Sequence, residues 1–177
     1  MPDIIKILPT EVSNKIAAGE VVQRPSSVLK ELLENSIDAN SSKIKIIIKN
    51  AGKNLIQVID DGIGMSRNDM YKSFIKHATS KINKIDDVFS INSMGFRGEA
   101  LAAISSVSMI EMSSAKLNEN DGYFIEINGG KVITEKEIIG NKGTSIKVQN
   151  LFYNVPARRN FLKSDFVELR HIINVFN

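Results

Sequence analysis

The chain has 177 residues, of which 42% are hydrophobic and 24% are charged, and its formal net charge is +3. These values are those of a globular domain with a hydrophobic core, and the weak positive charge permits a nucleic-acid partner without requiring one. The sequence contains no cysteine, which excludes disulfides and cysteine-bound zinc. The N-terminus lacks the basic start and apolar run of a signal peptide, and no apolar stretch approaches the roughly 18 residues of a membrane span. We therefore expect a cytoplasmic protein without membrane contact.

Hydrophobic periodicity and turn residues predict the helices and strands. Gly19 is expected to end the first helix, and Pro25 to open the second, because proline lacks an N–H that would find no partner in the first helical turn. This order predicts a two-layer α+β sandwich, with a mostly antiparallel sheet and helices on one face. The predicted elements, in chain order, are a short capped helix from residue 9, a helix over 25–39, a hairpin of strands 43–49 and 55–59, a helix over 70–77, a loop-containing stretch over 82–97, a helix over 99–105, a strand over 109–114, a hairpin of strands 123–127 and 131–137, a strand over 143–148 and a helix over 160–176.

The helix over 25–39 carries a first candidate site. Glu31, Asn35 and Asp38 are spaced at i, i+4 and i+7, so they share one helix face. An amide oxygen there can ligate Mg²⁺, and a carboxylate one turn away can hold and deprotonate a water molecule. The alternative is an amphipathic surface helix with its polar residues in solvent, and the pattern by itself favours that alternative.

A second candidate lies where the strand over 55–59 ends. Asp60 is followed by Gly62 and Gly64, and glycines of this kind let the backbone approach a ligand closely. A carboxylate at this position can accept a hydrogen bond from an exocyclic amine such as that of adenine. The alternative is an ordinary Asp-Gly hairpin turn.

Two further segments are candidates for binding phosphate. Gly95 and Gly98 flank Arg97 just before a predicted helix, and free N–H groups at a helix start can bind phosphate oxygens. The alternative is a loop in which the glycines serve tight turns. The run over 77–81 offers hydroxyls and a lysine but is weak as a bare pattern. The sequence contains neither a Walker A motif nor the kinase motifs, so a phosphate site here must be of another kind.

Taken in this order, the four pieces resemble the GHKL ATPases, a family that includes gyrase, the large heat-shock chaperones and sensor histidine kinases. The narrower resemblance is to the MutL family of DNA mismatch repair proteins. Several of the matching runs are long and nearly literal, which makes the combined match specific. These runs are residues 16–22 with Arg24 and Pro25, 30–39, 60–65, 77–81, 95–101, 143–144 and 151–159.

The resemblance implies a role for each matching position. Glu31 would be the general base that activates the attacking water, and Asn35 would ligate the Mg²⁺ that bridges the phosphates. Asp60 would recognise adenine, and Thr144 would support it through an adenine-bound water. Gly62 and Gly64 would shape the base pocket. The lid and phosphate cradle would be formed by Thr79, Ser80, Lys81, Gly95, Arg97, Gly98, Glu99, Ala100 and Leu101.

The resemblance also implies a function beyond the site. Residues 1–177 would be a GHKL ATPase domain and a fragment of a longer protein that forms a homodimer when it binds ATP. Mg²⁺-dependent ATP binding and hydrolysis would switch its conformation, and would couple mismatch recognition to downstream repair proteins. DNA contact would be weak and largely independent of sequence. Turnover by this fragment would be slow, because a lysine that reaches the γ-phosphate would lie in a second domain.

Two alternatives remain open at this stage. The first is a topoisomerase, chaperone or kinase domain of the same ATPase family, which the nearly literal matches over 95–101 and 156–159 disfavour. The second is a DNA-binding or scaffold module without enzymatic activity. Arg158, Arg159 and Lys163 form a modest basic cluster that would suit it, although such a cluster is equally typical of a solvated helix start.

Overall fold

The computed structural model describes residues 7, 9–75, 98–117, 119, 121–140 and 142–177. Among these residues, no helix is long and apolar enough to cross a membrane. The helices are α1 Thr10–Val21, α2 Pro25–Asp38, α3 Arg67–Lys72, α4 Ala100–Ser106, α5 Pro156–Phe161 and α6 Asp165–Ile173, with short 3-10 turns at Asn50–Gly52 and Asn174–Phe176. The strands are β1 Ile44–Lys49, β2 Leu55–Asp60, β3 Met109–Ala115, β4 Asp121–Asn128, β5 Lys131–Ile139 and β6 Gly143–Gln149.

The described strands form one six-stranded sheet in the order β1-β2-β6-β3-β4-β5. Each neighbouring pair among them is antiparallel. Both predicted hairpins, β1–β2 and β4–β5, are present. The last strand in the sequence, β6, lies between β2 and β3 and joins the first hairpin to the rest of the sheet.

The sheet has one covered face and one open face, because successive side chains of a strand point to opposite sides. The covered face carries most of the hydrophobic core, and the register places its residues in rows across the strands. These residues are Ile56 and Val58 of β2, Ile146 and Val148 of β6, Ile110 and Met112 of β3, and Ile125 and Ile127 of β4. The alternate residues of the same strands are half-buried and largely polar, among them Gln57, Ser145, Lys147, Glu111, Ser113 and Glu126.

Helices pack on the covered face, as predicted. α2 contacts β2, and Val28, Leu29 and Leu32 are buried on this helix. α1 packs against α4. Pro25 occupies the first turn of α2, as its position in the sequence predicts. The predicted α+β sandwich, a mostly antiparallel sheet with helices on one face, is therefore confirmed.

The prediction that Gly19 ends the first helix is wrong. α1 continues to Val21, and Gly19 is buried within it. The guanidinium of Arg158 occupies the space that a side chain at residue 19 would need, since a Cβ there would lie 2.6 Å from Nη2 of Arg158. The same nitrogen donates to the carbonyl oxygen of Gly19 at 2.6 Å, and Nη1 donates to that of Val22 at 3.0 Å. The glycine therefore admits an arginine that satisfies carbonyl groups at the end of α1.

The single helix predicted over 160–176 is also wrong, because two helices occupy the region. The backbone of Leu162 is extended after α5, and α6 begins at Asp165, directly after its N-cap residue Ser164. Between them, the Lys163 N–H donates to Oε1 of the buried Glu168 at 2.9 Å. This hydrogen bond from within α6 fixes the break, and apolar periodicity does not reveal it.

The helix predicted over 70–77 begins earlier, at Arg67, and α3 ends at Lys72. Residues 76 and 77 of that prediction lie outside the described residues. Ser66 caps it, since its hydroxyl accepts from the Asp69 N–H at 3.1 Å and donates to the Asp69 carboxylate at 2.7 Å. The sequence prediction overlooked this capping serine. The stretch predicted to contain a loop, 82–97, lies outside the described residues.

Candidate active site

The candidate site begins where the hydrophobic core of the covered face ends. Asp60 on β2 pairs with Thr144 on β6, and Thr144 pairs with Ser114 on β3. The three side chains therefore form one polar row across three adjacent strands, on the same face as the core. The next matching row, two residues along each strand, is apolar: Val58, Ile146 and Met112.

Asp60 is 9% exposed, and among the described residues three hydrogen-bond donors hold its carboxylate. The Ser36 hydroxyl of α2 donates to Oδ2 at 2.8 Å. The backbone N–H groups of Gly62 and Thr144 donate to Oδ1 at 3.0 and 3.3 Å. A carboxylate has about four lone-pair positions, so the donors that the structure describes leave one on Oδ2 for a further donor. The arrangement fixes Asp60 as an oriented acceptor at the edge of the core.

Sequence reasoning missed Ser36. Its hydroxyl is buried on α2 and links that helix to β2 through Asp60. A serine in a helix gives no local sign of such a contact, because the contact depends on how α2 packs on the sheet. The position directly after Asn35, within the run that carries the family resemblance, was the available clue.

The neighbouring Asp61 binds the backbone before β1. It is exposed, and its carboxylate accepts from the N–H groups of Ser42 and Lys43 at 2.7 and 2.8 Å and from the Ser42 hydroxyl at 2.5 Å. The Ser42 hydroxyl, followed by the Lys43 N–H, lowers the pKa of the Asp61 carboxyl. Asp61 therefore pins the segment before β1, whereas Asp60 faces the site.

Gly62 and Gly64 lie where protein backbone comes close. A Cβ at Gly62 would lie 2.7 Å from the carbonyl oxygen of Ala39, at the end of α2. Gly64 has φ +67°, and a Cβ there would lie 2.0 Å from the carbonyl oxygen of Ala115. The loop therefore packs closely between the end of α2 and the end of β3, and a larger side chain at residue 62 or 64 would displace it. Contact between these glycines and a ligand remains a prediction.

Glu31 and Asn35 lie one turn apart on α2 and are half-buried. The buried Leu32 and Ser36 follow them directly, so both residues lie at the margin of the face that packs on the sheet. Asn35 directly precedes Ser36, which places it next to the residue that holds Asp60. Among the described residues, no group of three or more His, Cys, Asp or Glu side chains could hold a metal ion.

The structure describes part of the predicted phosphate cradle. Gly98 has φ +60°, Glu99 directly precedes α4, and Ala100 and Leu101 open that helix. The remaining predicted members, Thr79, Ser80, Lys81, Gly95 and Arg97, lie outside the described residues. Their part in a phosphate site remains a prediction.

The basic cluster near the C-terminus is smaller than the sequence suggests. Arg158 directs its guanidinium inward, to the α1 carbonyls and over the ring of Phe152 at 5.8 Å. A guanidinium used in this way is not presented to nucleic acid. The observation weakens the alternative of a DNA-binding module.

Comparison with known proteins matches most of the chain to one family. A family model described as histidine kinase-, DNA gyrase B-, and HSP90-like ATPase matches residues 23–154. The DNA mismatch repair protein MutL of Christiangramia forsetii is 58% identical over 176 residues, which are 99% of this chain and 28% of that protein. The MutL of Chlorobium phaeobacteroides is 56% identical over 165 residues, which are 93% of this chain and 26% of that protein. The chain thus spans less than a third of the length of these relatives.

Solved structures share the fold. The ATPase domain of Aquifex aeolicus MutL complexed with ADP superposes with a TM-score of 0.67 at 31% identity, over 88% of this chain and 54% of that one. The N-terminal domain of a DNA repair protein gives a TM-score of 0.76 at 28% identity, over 92% of this chain and 46% of that one.

Proposed function

Because this chain belongs to the family of histidine kinase-, DNA gyrase B- and HSP90-like ATPases, we propose that it binds ATP with Mg²⁺ beside α2 and hydrolyses it in the service of DNA mismatch repair. The relatives named MutL support the second half of this proposal. The likeness to a MutL ATPase domain complexed with ADP supports a nucleotide ligand.

The oriented carboxylate of Asp60 carries the proposal. Three donors from the described part of the chain hold it, and the lone pair that these donors leave on Oδ2 accepts a hydrogen bond from the ligand. The exocyclic amine of adenine is such a donor, whereas a 6-oxo purine would set an oxygen against the carboxylate. The site therefore favours adenine, with Thr144 beside Asp60 in the same row, and Gly62 and Gly64 shaping the loop.

Hydrolysis requires a base and a charge-neutralising environment. Glu31 takes a proton from the attacking water, whose oxygen forms a bond to the γ-phosphorus while the bond to the β–γ bridging oxygen breaks and ADP leaves. Asn35 offers an amide oxygen to Mg²⁺, which when bound supplies positive charge to the phosphate oxygens. The family match extends over the cradle residues Thr79, Ser80, Lys81, Gly95, Arg97, Gly98, Glu99, Ala100 and Leu101, to which we assign the phosphates.

The wider role follows the relatives, of which this chain covers 28% or less in the two cases compared. We assign residues 1–177 to one ATPase domain of a longer cytoplasmic protein. ATP binding drives homodimer formation in that protein, which contacts DNA weakly and without strong sequence preference. This switch conveys mismatch recognition to downstream repair proteins. Turnover by the 177-residue chain alone is slow in this scheme.

The test of the site compares two adjacent aspartates. Asp60→Ala removes the acceptor for the base amine and should raise the Kd for Mg-ADP by about 5- to 150-fold, measured by calorimetry, because an unpaired buried polar group costs about 1–3 kcal/mol. Asp61→Ala is the matched control and should bind as the wild type does. Circular dichroism checks that both variants fold. Equal affinity of the Asp60→Ala and wild-type proteins would exclude Asp60 as the base-reading residue.

The test of catalysis separates binding from turnover. Glu31→Gln should bind Mg-ATP with unchanged affinity and hydrolyse it about 10²–10⁴ times more slowly, since a positioned general base contributes about that factor. Single-turnover measurements with labelled ATP detect the difference even when the wild type is slow. Hydrolysis at the wild-type rate would exclude Glu31 as the general base, whereas the proposed nucleotide-binding site would still stand.

A further inference from the structure

A buried serine on β3 ties three segments of the site together. Ser114 is 2% exposed. Its hydroxyl oxygen accepts from the Met65 N–H at 2.9 Å, donates to the Gly143 carbonyl at 3.0 Å and lies 2.9 Å from the hydroxyl oxygen of Thr144. Ser114 therefore joins the loop after β2, β3 itself and the start of β6.

The positions of the protons in this cluster follow from its composition. A carbonyl has no proton, so the contact between Ser114 and Gly143 uses the serine proton, and the Met65 N–H fills one lone pair of Ser114. If Ser114 donated to Thr144 instead, two unprotonated oxygens would face each other 3.0 Å apart in a buried site. Donation from Thr144 to Ser114 avoids this. The serine then donates once and accepts twice, which is the full capacity of a hydroxyl.

We propose that Ser114 is a positioning residue that sets the base selectivity of the pocket, because it takes the Thr144 proton and leaves Thr144 as an acceptor towards the ligand. This inference rests on the proposed function. With the Thr144 proton directed at Ser114, the polar row presents lone pairs from both Asp60 and Thr144. The adenine edge brings a donor at the 6-amine and an acceptor at N1, whereas a 6-oxo purine brings an acceptor at O6 and a donor at N1. Asp60 accepts from the 6-amine, and Thr144 accepts from a water whose second proton is directed at N1.

The consequence is a preference for a 6-amino purine over a 6-oxo purine that depends on two residues. Asp60 repels the 6-oxo group directly. Thr144 contributes to this preference only while it donates its proton to Ser114. Without Ser114, the Thr144 hydroxyl is free to rotate and to donate to an oxygen of the ligand or its water. Loss of Ser114 therefore weakens selectivity as well as affinity, whereas general loosening of the site weakens both ligands equally.

The experiment measures the Kd values of Mg-ADP and Mg-IDP by calorimetry for the wild type, Ser114→Ala, Thr144→Val and the double variant. We expect Ser114→Ala to lower the ratio of IDP to ADP dissociation constants about tenfold, the order of one lost hydrogen bond. Thr144→Val should lower it similarly, and Thr144→Ser should preserve it. In the Thr144→Val background, Ser114→Ala should change the ratio no further, because the two residues act through one hydroxyl.

Ser113→Ala is the matched control, since Ser113 is the preceding residue on the same strand and lies on the open face. If Ser114→Ala does not fold, Ser114→Cys replaces it, because a thiol is a weak acceptor of similar shape and should lower the ratio in the same direction. An unchanged ratio, or equal effects in both Thr144 backgrounds, would overturn the inference while the proposed function stands. Absence of ADP binding by the wild type would overturn the proposed function and the inference together.

Discussion

The two faces of the sheet are built from alternate residues of the same strands, yet we expect them to differ in how strongly substitutions affect stability and ligand binding. On β3, Ile110, Met112 and Ser114 are buried, whereas Met109 and Glu111 are half-exposed. The covered face contains both the core and the polar row of the site. Adjacent residues of one strand therefore serve as each other's controls, and the site is an extension of the core rather than an addition to the surface.

The largest effect expected from this difference is on stability. Ile110→Ala empties a fully buried position and should lower the free energy of unfolding by about 2–5 kcal/mol. Met109→Ala, the neighbouring change on the open face, should cost less than about 1 kcal/mol. Urea denaturation of both variants measures the difference. Similar losses would mean that the open face is covered in solution.

An intermediate effect is expected at the edge of the covered face. Gly143 has φ +99°, and a Cβ there would lie 2.0 Å from the carbonyl oxygen of Asp60. Gly130, in the β4–β5 turn, has φ +82°, but a Cβ there would meet nothing closer than 3.7 Å. Gly130→Ala should therefore cost only the backbone strain, about 1–2 kcal/mol, and Gly143→Ala should cost more.

Nucleotide binding distinguishes these two glycine variants further. Gly143→Ala should displace the strand that carries Asp60 and weaken Mg-ADP binding, whereas Gly130→Ala should leave binding unchanged. Thermal unfolding and calorimetry on both variants give the two readouts. Equal behaviour of the pair would show that the close approach of Gly143 to Asp60 is not a constraint on the site.

The smallest effect is expected on the open face. Lys147 and Glu111 pair across β6 and β3 at 2.7 Å, with both side chains about one-third exposed. A double-mutant cycle with Lys147→Ala and Glu111→Ala should give a coupling of about 0.2–1 kcal/mol, because water screens the pair. The coupling should fall when salt is added. A coupling that is large and insensitive to salt would contradict the distinction between the faces.

The parts of the fold that depend on local chemistry were predictable from the sequence. Alternation of apolar and polar residues indicated the strands, turn residues indicated both hairpins, and Pro25 marked the start of α2. The insertion of β6 between β2 and β3 was not predictable, because non-local pairing leaves no local pattern. The prediction that Gly19 ends α1 was wrong for the same reason, because the glycine makes room for the guanidinium of Arg158, which is distant in the sequence.

In the candidate site, too, local sequence patterns do not reveal contacts between distant parts of the chain. Family resemblance selected Asp60 over Asp61, although composition alone does not separate two adjacent aspartates. Ser113 and Ser114 are likewise adjacent and identical, and the sheet register decides which of them faces the site. The roles of Glu31 and of the cradle residues remain predictions, because they concern contacts with a ligand.

The central place of β6 bears on how the protein is made. A nascent chain that has released β1 to β5 from the ribosome contains the β1–β2 hairpin and the β3–β4–β5 meander, and among the described strands β6 alone joins the two. Thr144 is separated from Asp60 by 84 positions and from Ser114 by 30, so both loop closures are completed when β6 enters. The polar row of Asp60, Thr144 and Ser114 is therefore completed only when β6 pairs with both β2 and β3.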